Sequence, residues 1–247
     1  RLENVDQDAF AEDATASRLR TRRNFASAAW GGFGFFAEHD YVFNIGWDDY
    51  NAGAGNTPDK TQYPVVADPE GADFNQGYIQ WQGAAGTLLR GGRQRIISDN
   101  ARFIGNVGWR QNEQTYDAVT LKGTVLPKTH LQYSYIDNVN RVTGPDEGTQ
   151  PANYHGATHV MNGKVDLGRY GAVTGFAYLL DFENAPALSS STYGVHWAGS
   201  YTLSDAGKLN WLASYASQGD YADNPNDYSA DYYLLEGGAT FGKRYHA

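Results

Sequence analysis

Arginine recurs at every second position in two short segments of this chain, residues 17–23 and 92–96. Alternate side chains of an extended strand point to the same side, about 7 Å apart, so each segment aligns its guanidinium groups in a row. A guanidinium group donates two parallel hydrogen bonds to a carboxylate, and such a row therefore suits anionic ligands. The candidate binding residues are Arg18, Arg20, Arg22, Arg93 and Arg95, together with Arg110 in the connector that follows.

A second interpretation of the same arginines is structural. They would then form an internal network of ion pairs with acidic residues of neighbouring segments, namely Glu38, Asp40, Glu113 and Asp117. The two interpretations are compatible, because partly paired arginines still create a positively charged track.

Other chemistry has little support in the residue pattern. The chain has no cysteine, which excludes disulfides and thiolate metal sites, and its six histidines lack the spacing of a metal site. The sequence contains no serine nucleophile elbow, no phosphate-binding loop and no dinucleotide fingerprint. We therefore expect no metal, no cofactor and no catalytic residues, and a protein that is not an enzyme.

The elements that would position the arginines are extended strands. Between residues 187 and 241, apolar residues alternate with polar or small ones in three successive segments. A tight turn at 204–207 and a long polar loop at about 219–230 connect these segments. Strands of about ten residues with an aromatic face, joined alternately by short turns and long loops, are typical of a transmembrane β-barrel. In a barrel the arginine rows would face the lumen, because charged groups are costly against hydrocarbon.

The barrel interpretation predicts which side each residue faces. The expected lipid-facing residues are Tyr133, Tyr135, Tyr193, Val195, Trp197, Leu209, Trp211 and Tyr215. Their polar alternates are expected to face inward, and these include His130, Gln132, Ser134, Thr192 and Asn210.

Composition agrees with a barrel and opposes a bundle of membrane helices. The hydrophobic fraction is 41% and the mean hydropathy is −0.57, and no stretch approaches the ~20 apolar residues of a spanning helix. The 18 tyrosines and 6 tryptophans suit a membrane interface, since each has an apolar ring and a polar group. The net charge of −9 argues against nucleic acid as a partner.

The whole chain, residues 1–247, is predicted to be a single all-β domain, a transmembrane antiparallel up-and-down β-barrel. About twelve strands are expected, near 1–5, 16–27, 32–44, 73–82, 87–98, 115–125, 129–140, 157–167 and 172–182, followed by the three alternating segments. These strands form either a complete barrel or part of a larger one. The alternative is a soluble β-sandwich, whose strands also alternate.

The connector at 99–114 is less polar than an ordinary exposed loop. Phe103, Ile104, Val107 and Trp109 are expected to pack it against the barrel wall as an infolded constriction. The alternative is one additional strand.

Two segments resemble a known family. The sequences GRQRII at 92–97 and DNARFIGNVGWRQNEQTYDA at 99–118 resemble the alginate-export-type outer-membrane porins of Gram-negative bacteria. The segments YPVVADPEG at 63–71 and NVNR at 138–141 fit the same group. The resemblance implies an outer-membrane barrel whose arginine-rich lumen passes anionic sugars or other organic anions.

The function that follows is a porin-like channel in the bacterial outer membrane. It would pass anionic solutes, such as acidic sugars or oligosaccharides, and would contact outer-membrane lipid and lipopolysaccharide. Two alternatives stay open, a secreted soluble β-protein that binds polysaccharide and an outer-membrane enzyme such as a lipase or protease.

Overall fold

The protein is built from β-strands. A computed structural model describes residues 1–146, 148–204, 207–241 and 245–246. The strands in this part of the chain are β1 (Leu2–Val5), β2 (Ala14–Ala26), β3 (Phe33–Asp49), β4 (Gly71–Gln82), β5 (Leu88–Gln94), β6 (Thr115–Leu126), β7 (Thr129–Asn140), β8 (Asn153–Asp166), β9 (Ala172–Leu180), β10 (Ser190–Ser204), β11 (Gly207–Asp220), β12 (Ser229–Phe241) and β13 (Tyr245–His246). The helical elements among the described residues are four three-residue 3₁₀ turns. None of them is long and apolar enough to cross a membrane.

Strand order in the sheet follows chain order from β1 to β13. The ladders are antiparallel, for example Thr21 opposite Tyr41 in β2–β3 and Val195 opposite Tyr215 in β10–β11. The expected all-β, antiparallel, up-and-down architecture is therefore confirmed, and β1 to β12 correspond to the twelve predicted strands. Three predicted boundaries are wrong by four residues or more, since β3 continues to Asp49, β5 ends at Gln94 and β8 begins at Asn153. The described residues of the connector at 99–114 contain no strand, which excludes the additional-strand alternative.

The chain divides into two compact units. The first comprises residues 1–81, 90–119 and 136–156, and the second comprises the described residues of 82–89, 120–135 and 157–247. The first unit contains a small apolar cluster of Ala14, Ala16, Tyr50, Ala52 and Val66. Most other buried side chains of this unit are polar or charged, including those of Glu38, Asp40, Asn75, Gln76 and Gln94.

The second unit exposes most of its large apolar side chains and buries many polar ones, unlike a water-soluble protein. Its buried residues include many with hydroxyl or imidazole groups, namely Thr120, Ser134, Thr158, Thr174, Thr192, His196 and Ser214, beside the apolar or aromatic Val160, Phe176, Tyr178, Phe182 and Ala216. Its exposed face carries Tyr133, Tyr135, Tyr193, Val195, Trp197, Leu209 and Tyr215, while Trp211 is half-buried. A soluble β-sandwich buries its apolar faces, so this distribution opposes that alternative.

Three of the predicted inward-facing residues are less covered than Thr192 and Ser134. His130 and Asn210 are exposed and Gln132 is half-buried. His130 and Asn210 lie close to strand ends, where fewer neighbouring side chains cover them. His130 nevertheless pairs with Thr124, the His130 Nδ1 and Thr124 Oγ1 atoms being 2.9 Å apart.

The buried hydroxyl pair of Thr120 and Ser134 provides a test of the polar face. Their oxygens are 2.9 Å apart and both residues are almost fully covered. We expect Thr120→Val to lower the free energy of unfolding by about 1–3 kcal/mol, because the Ser134 hydroxyl loses its partner. The measurement is urea unfolding of the folded protein.

The double variant Thr120→Val/Ser134→Ala is the control for this pair. It should recover much of the lost stability, because it leaves neither hydroxyl buried without a partner. If the double variant instead loses as much stability as the sum of the losses in Thr120→Val and Ser134→Ala, the two hydroxyl groups are not coupled.

Candidate functional site

The predicted arginines of β2 and β5 meet the acidic residues of β3 in the first unit. Arg22 lies opposite Asp40 in the β2–β3 ladder, and its Nε donates to Asp40 Oδ1 at 2.7 Å. Its Nη1 lies 2.8 Å from Glu113 Oε1. Arg95, directly after β5, donates to Glu38 Oε1 at 2.6 Å and to both oxygens of Glu113. We call Arg22, Arg95, Glu38, Asp40 and Glu113 the central cluster.

Two neutral side chains also donate hydrogen bonds to Glu38. The side-chain amides of Asn75 and Gln76 donate to Glu38 Oε1 at 2.8 and 3.0 Å. Both amides are buried, and they satisfy an oxygen that Arg95 also contacts. Sequence reasoning missed these two residues, because an amide in a polar strand has no distinguishing spacing.

Arg20 lies beside the central cluster but is paired less closely. Its Nη1 donates to the Gln111 carbonyl oxygen at 2.7 Å. The same nitrogen lies 4.0 Å from Asp40 Oδ2 and 3.9 Å from Glu113 Oε1. Arg20 therefore shares the carboxylates of the cluster at the limit of ion pairing.

Cations and anions of this region differ in accessibility. The side chains of Glu38, Asp40 and Glu113 are at most 5% exposed, whereas those of Arg20, Arg22 and Arg95 are 23–28% exposed. The carboxylates therefore lie beneath and the guanidinium groups on top. A solute that reaches this surface meets guanidinium edges first.

Arg93 forms a separate pair from Arg95. Its Nε and Nη2 donate to the two oxygens of Asp117 at 2.7 and 3.0 Å, which is a bidentate arrangement. Asp73 lies 3.7 Å away, and the amides of Asn138 and Asn140 also donate to Asp117 at 3.3 Å. The two arginines predicted to form one row thus have different carboxylate partners.

Arg18 is covered, unlike Arg20 and Arg22. Its side chain is 2% exposed and stacks on the Tyr50 ring, with Asp48 and Glu70 at 2.9 and 3.2 Å. Burial raises the pKa of Tyr50 to about 12, although Arg18 opposes that shift, so the hydroxyl stays protonated at neutral pH. This hydroxyl donates to the Asp68 carbonyl oxygen at 2.8 Å. The surroundings of Arg18 are those of a structural residue.

The connector at 99–114 is anchored by its polar end. The Gln111 amide N–H donates to Asp68 Oδ1 at 2.8 Å, and its side chain donates to the Arg18 carbonyl oxygen at 3.3 Å. Asn112 donates to the Pro69 carbonyl oxygen at 3.2 Å, and Glu113 joins the central cluster. This connector follows β5, yet it is held against β2 and the segment before β4.

The apolar residues of the connector behave differently from one another. Ile104 is buried, as expected. Trp109 is 63% exposed, and the expectation that it packs against other structure is wrong. The guanidinium carbons of Arg1 and Arg110 lie 5.1 and 4.0 Å from its ring centroid, and cation–π contact holds the indole outward. Arg110 also pairs with Glu3 at 3.2 Å.

Sequence reasoning also missed Arg90. Its guanidinium lies 4.1 Å from the Tyr78 ring centroid and donates to Gln80 Oε1 at 2.8 Å. A lone arginine in an otherwise neutral strand start gives no periodic signal. Within the described residues, no group of three or more potential metal ligands comes together.

The chain was compared with protein families, curated proteins and solved structures, and only solved structures match. No protein-family model and no curated protein matches the chain. Among solved structures, Acinetobacter baumannii OccAB2 is 16% identical with a TM-score of 0.70, covering 93% of this chain and 58% of its own. For A. baumannii OccAB4 the identity is 13% and the TM-score 0.73, with 97% and 61% covered. Pseudomonas aeruginosa OpdK, solved with vanillate, is 13% identical with a TM-score of 0.67, with 98% and 61% covered.

These neighbours are outer-membrane porins of the Occ/OprD type. At such identities the likeness shows the fold alone, an antiparallel up-and-down β-architecture that matches the barrels of these porins. The chain spans about three fifths of the length of these proteins, 58–61%. The porin architecture expected from the sequence resemblance is confirmed, while the neighbours do not support the alginate-export type specifically.

The ion pairs of Glu113 should make the hydrogen exchange of the connector depend on pH. Burial raises the pKa of its carboxyl group, but hydrogen bonds from Arg95 and Arg22 outweigh burial and hold the pKa below its ordinary value. A lowered folded pKa means that the ion pairs are present at neutral pH and are lost only as pH falls below the ordinary pKa of a glutamate side chain and through the lowered one. We expect hydrogen–deuterium exchange of residues 105–114, corrected for intrinsic rates, to accelerate in that range.

The variant Glu113→Gln should show the fast exchange already at pH 7. The matched control is Glu183→Gln, which removes an exposed carboxylate between β9 and β10. Unchanged protection in Glu113→Gln at pH 7 would mean that the cluster does not hold the connector.

Proposed function

We propose that this protein is a porin-like channel of the bacterial outer membrane that passes anionic solutes passively. The porin fold supports the channel, as do the apolar exposed and polar buried faces of the second unit. A barrel wall needs this distribution, because one face contacts lipid and the other lines the interior. The infolded connector at 99–114 is proposed to narrow the solute path.

The observation that carries the anion preference is the layering of the central cluster. Glu38, Asp40 and Glu113 are covered, while the guanidinium groups that pair with them are accessible. A solute carboxylate can approach a guanidinium group closely, but the protein carboxylates lie a further layer away. Accessibility, rather than net charge, therefore sets the sign that a solute experiences.

The magnitudes favour the nearer charge. At an effective dielectric of 20, a carboxylate about 4 Å from a guanidinium group gains about 4 kcal/mol, and one about 8 Å from a buried carboxylate loses about 2 kcal/mol. Desolvation removes part of the difference. A remainder of about 1.4 kcal/mol still favours an anion tenfold. Such weak binding permits release, which conduction requires.

The accessible arginines lie close enough for stepwise passage. Arg20 and Arg22 are on one side of β2, about 7 Å apart along the strand. Arg95 shares Glu113 with Arg22 and extends the track toward β5. An anion can exchange one guanidinium partner for the next without full desolvation between them.

The solute class follows from guanidinium chemistry and from the two resemblances. Planar donors suit carboxylates. The likeness of the sequence to alginate-export-type porins supports acidic sugars or oligosaccharides. OpdK was solved with vanillate, an aromatic carboxylate, which makes small organic acids a second candidate class.

Ion selectivity tests this proposal. In planar bilayers with a salt gradient, the reversal potential should show anion preference. Arg22→Gln/Arg95→Gln should reduce the anion-to-cation permeability ratio several-fold, more at 0.1 M than at 1 M salt, because screening weakens the field of the arginines. Cation preference in the unmodified protein would overturn the anion assignment.

Two other arginines of β2 serve as controls. Arg23→Gln removes the same charge from the same strand, but Arg23 lies on the opposite, exposed face, and the ratio should not change. Arg18→Gln should lower the unfolding temperature with little effect on the ratio, because Arg18 is buried against Tyr50.

The size of the solute path is tested separately. Deleting residues 104–111 should raise single-channel conductance if the connector narrows the path. Deleting residues 222–227, in the loop between β11 and β12, is the control for loop shortening. Equal conductance of the first deletion and the unmodified protein would place the connector outside the conducting path.

A further inference from the structure

An aromatic cleft lies at the short-turn ends of β9, β10 and β11, within the second unit. Its volume is about 440 Å³, and it is lined by Arg169, Tyr170, Trp197, Tyr201 and Trp211. Arg169 and Tyr170 belong to the short turn before β9, and the other three residues lie on β10 and β11. Tyr170, Trp197 and Tyr201 are exposed. We call this the turn-end cleft.

The walls of the turn-end cleft are held in place by direct contacts. The Trp197 indole N–H donates to the Tyr170 carbonyl oxygen at 2.7 Å. The Trp197 and Trp211 rings meet edge to face, with centroids 5.9 Å apart. Gly199 leaves room for Trp211, since a Cβ atom there would lie 2.3 Å from the indole ring. The cleft is therefore a preformed feature of the strands.

Arg169 supplies the charge of the cleft. Its guanidinium group donates to the Tyr170 hydroxyl and lies 4.7 Å from the centroid of the Tyr170 ring. Among the residues that the structure describes, which exclude 205–206, no carboxylate lies within ion-pairing distance of Arg169. Asp166, the nearest acidic residue along the chain, accepts from the Gly168 amide at 2.7 Å instead. The positive charge is therefore not neutralised by the described part of the chain.

Trp211, which lines the cleft, has a hydrogen-bond donor without a partner in the described part of the chain. The indole N–H of Trp211 is buried and has no hydrogen-bond acceptor among the described residues. A buried donor without an acceptor costs free energy, and natural structures usually supply one.

We propose that the turn-end cleft binds the headgroup of an anionic phospholipid, with the phosphate on Arg169 and the glycerol region against the aromatic rings. The proposal rests on the outer-membrane placement of the proposed function. Arginine is suited to bind phosphate oxygens in pairs, and tyrosine and tryptophan favour the interface where headgroups lie. Phosphatidylglycerol fits better than a zwitterionic lipid, because no ammonium group competes with Arg169 for its phosphate.

Quenching by brominated lipids tests the site. The other tryptophans are replaced by phenylalanine, at Trp30, Trp47, Trp81 and Trp109, so that fluorescence reports only Trp197 and Trp211. The protein is reconstituted in vesicles with dibrominated phosphatidylglycerol or dibrominated phosphatidylcholine. We expect a binding preference for phosphatidylglycerol of about threefold or more, which corresponds to a difference of ~0.7 kcal/mol.

Two charge-removing variants decide whether Arg169 is responsible. In Arg169→Gln, the ratio of phosphatidylglycerol binding to phosphatidylcholine binding should fall to about one. Lys128→Gln, in the short turn between β6 and β7, removes an exposed charge that does not line the turn-end cleft, and it should retain the preference. An equal preference in Arg169→Gln and the parent protein, or none in the parent, would overturn the proposal.

The failure of this proposal is distinguishable from failure of the proposed function. Quenching by brominated phosphatidylcholine without a phosphatidylglycerol preference contradicts only the lipid site. No quenching by either lipid contradicts the membrane placement itself. If the four-fold tryptophan variant does not fold, native mass spectrometry of the otherwise unmodified protein gives the same comparison, with Arg169→Gln expected to retain fewer phosphatidylglycerol molecules than Lys128→Gln. Equal retention would overturn the proposal.

Discussion

Burial of three carboxylates beneath a layer of guanidinium groups constrains the first unit more than any other interaction. Glu38, Asp40 and Glu113 are almost fully covered, and a buried charge that loses its partner costs about 3–5 kcal/mol. Arg22 and Arg95 must therefore stay in place. Their ion pairs also hold β2 and the end of β5 in position. Because Glu113 ends the connector, the same ion pairs also determine where that segment lies.

The layering connects stability to the proposed transport. Arginines that were fully exposed would rotate among many conformers, whereas those held from below by carboxylates keep their outer N–H groups directed at solutes. The cost is a partial cancellation of the positive field, which limits how tightly an anion can bind. For a channel this limit is useful, since tight binding would slow release.

In the second unit, alternate residues of each strand also lie on opposite faces, but here the two faces differ in polarity. Its covered face is nearly uncharged and carries hydroxyl pairs such as Thr120 and Ser134, beside aromatic residues such as Phe176 and Tyr178. Its exposed face is aromatic and aliphatic, and it ends at the short turns in the cleft around Trp197 and Trp211. Strand pairing separates the two faces, so that one set of strands meets both a polar interior and the proposed lipid contact.

The sequence by itself determined the strands and the faces of their residues, because a period-two pattern is local and each strand pairs with its neighbour along the chain. It also identified the arginines of β2 and β5 and their acidic partners by type. Only the tertiary structure decided which arginines are accessible. Arg18 is covered by Tyr50, although it shares its spacing with Arg22. Gln111 is anchored to Asp68, 43 positions away, and Trp109 is held outward between two arginines. Such contacts join segments that are distant along the chain, and no local periodicity records them.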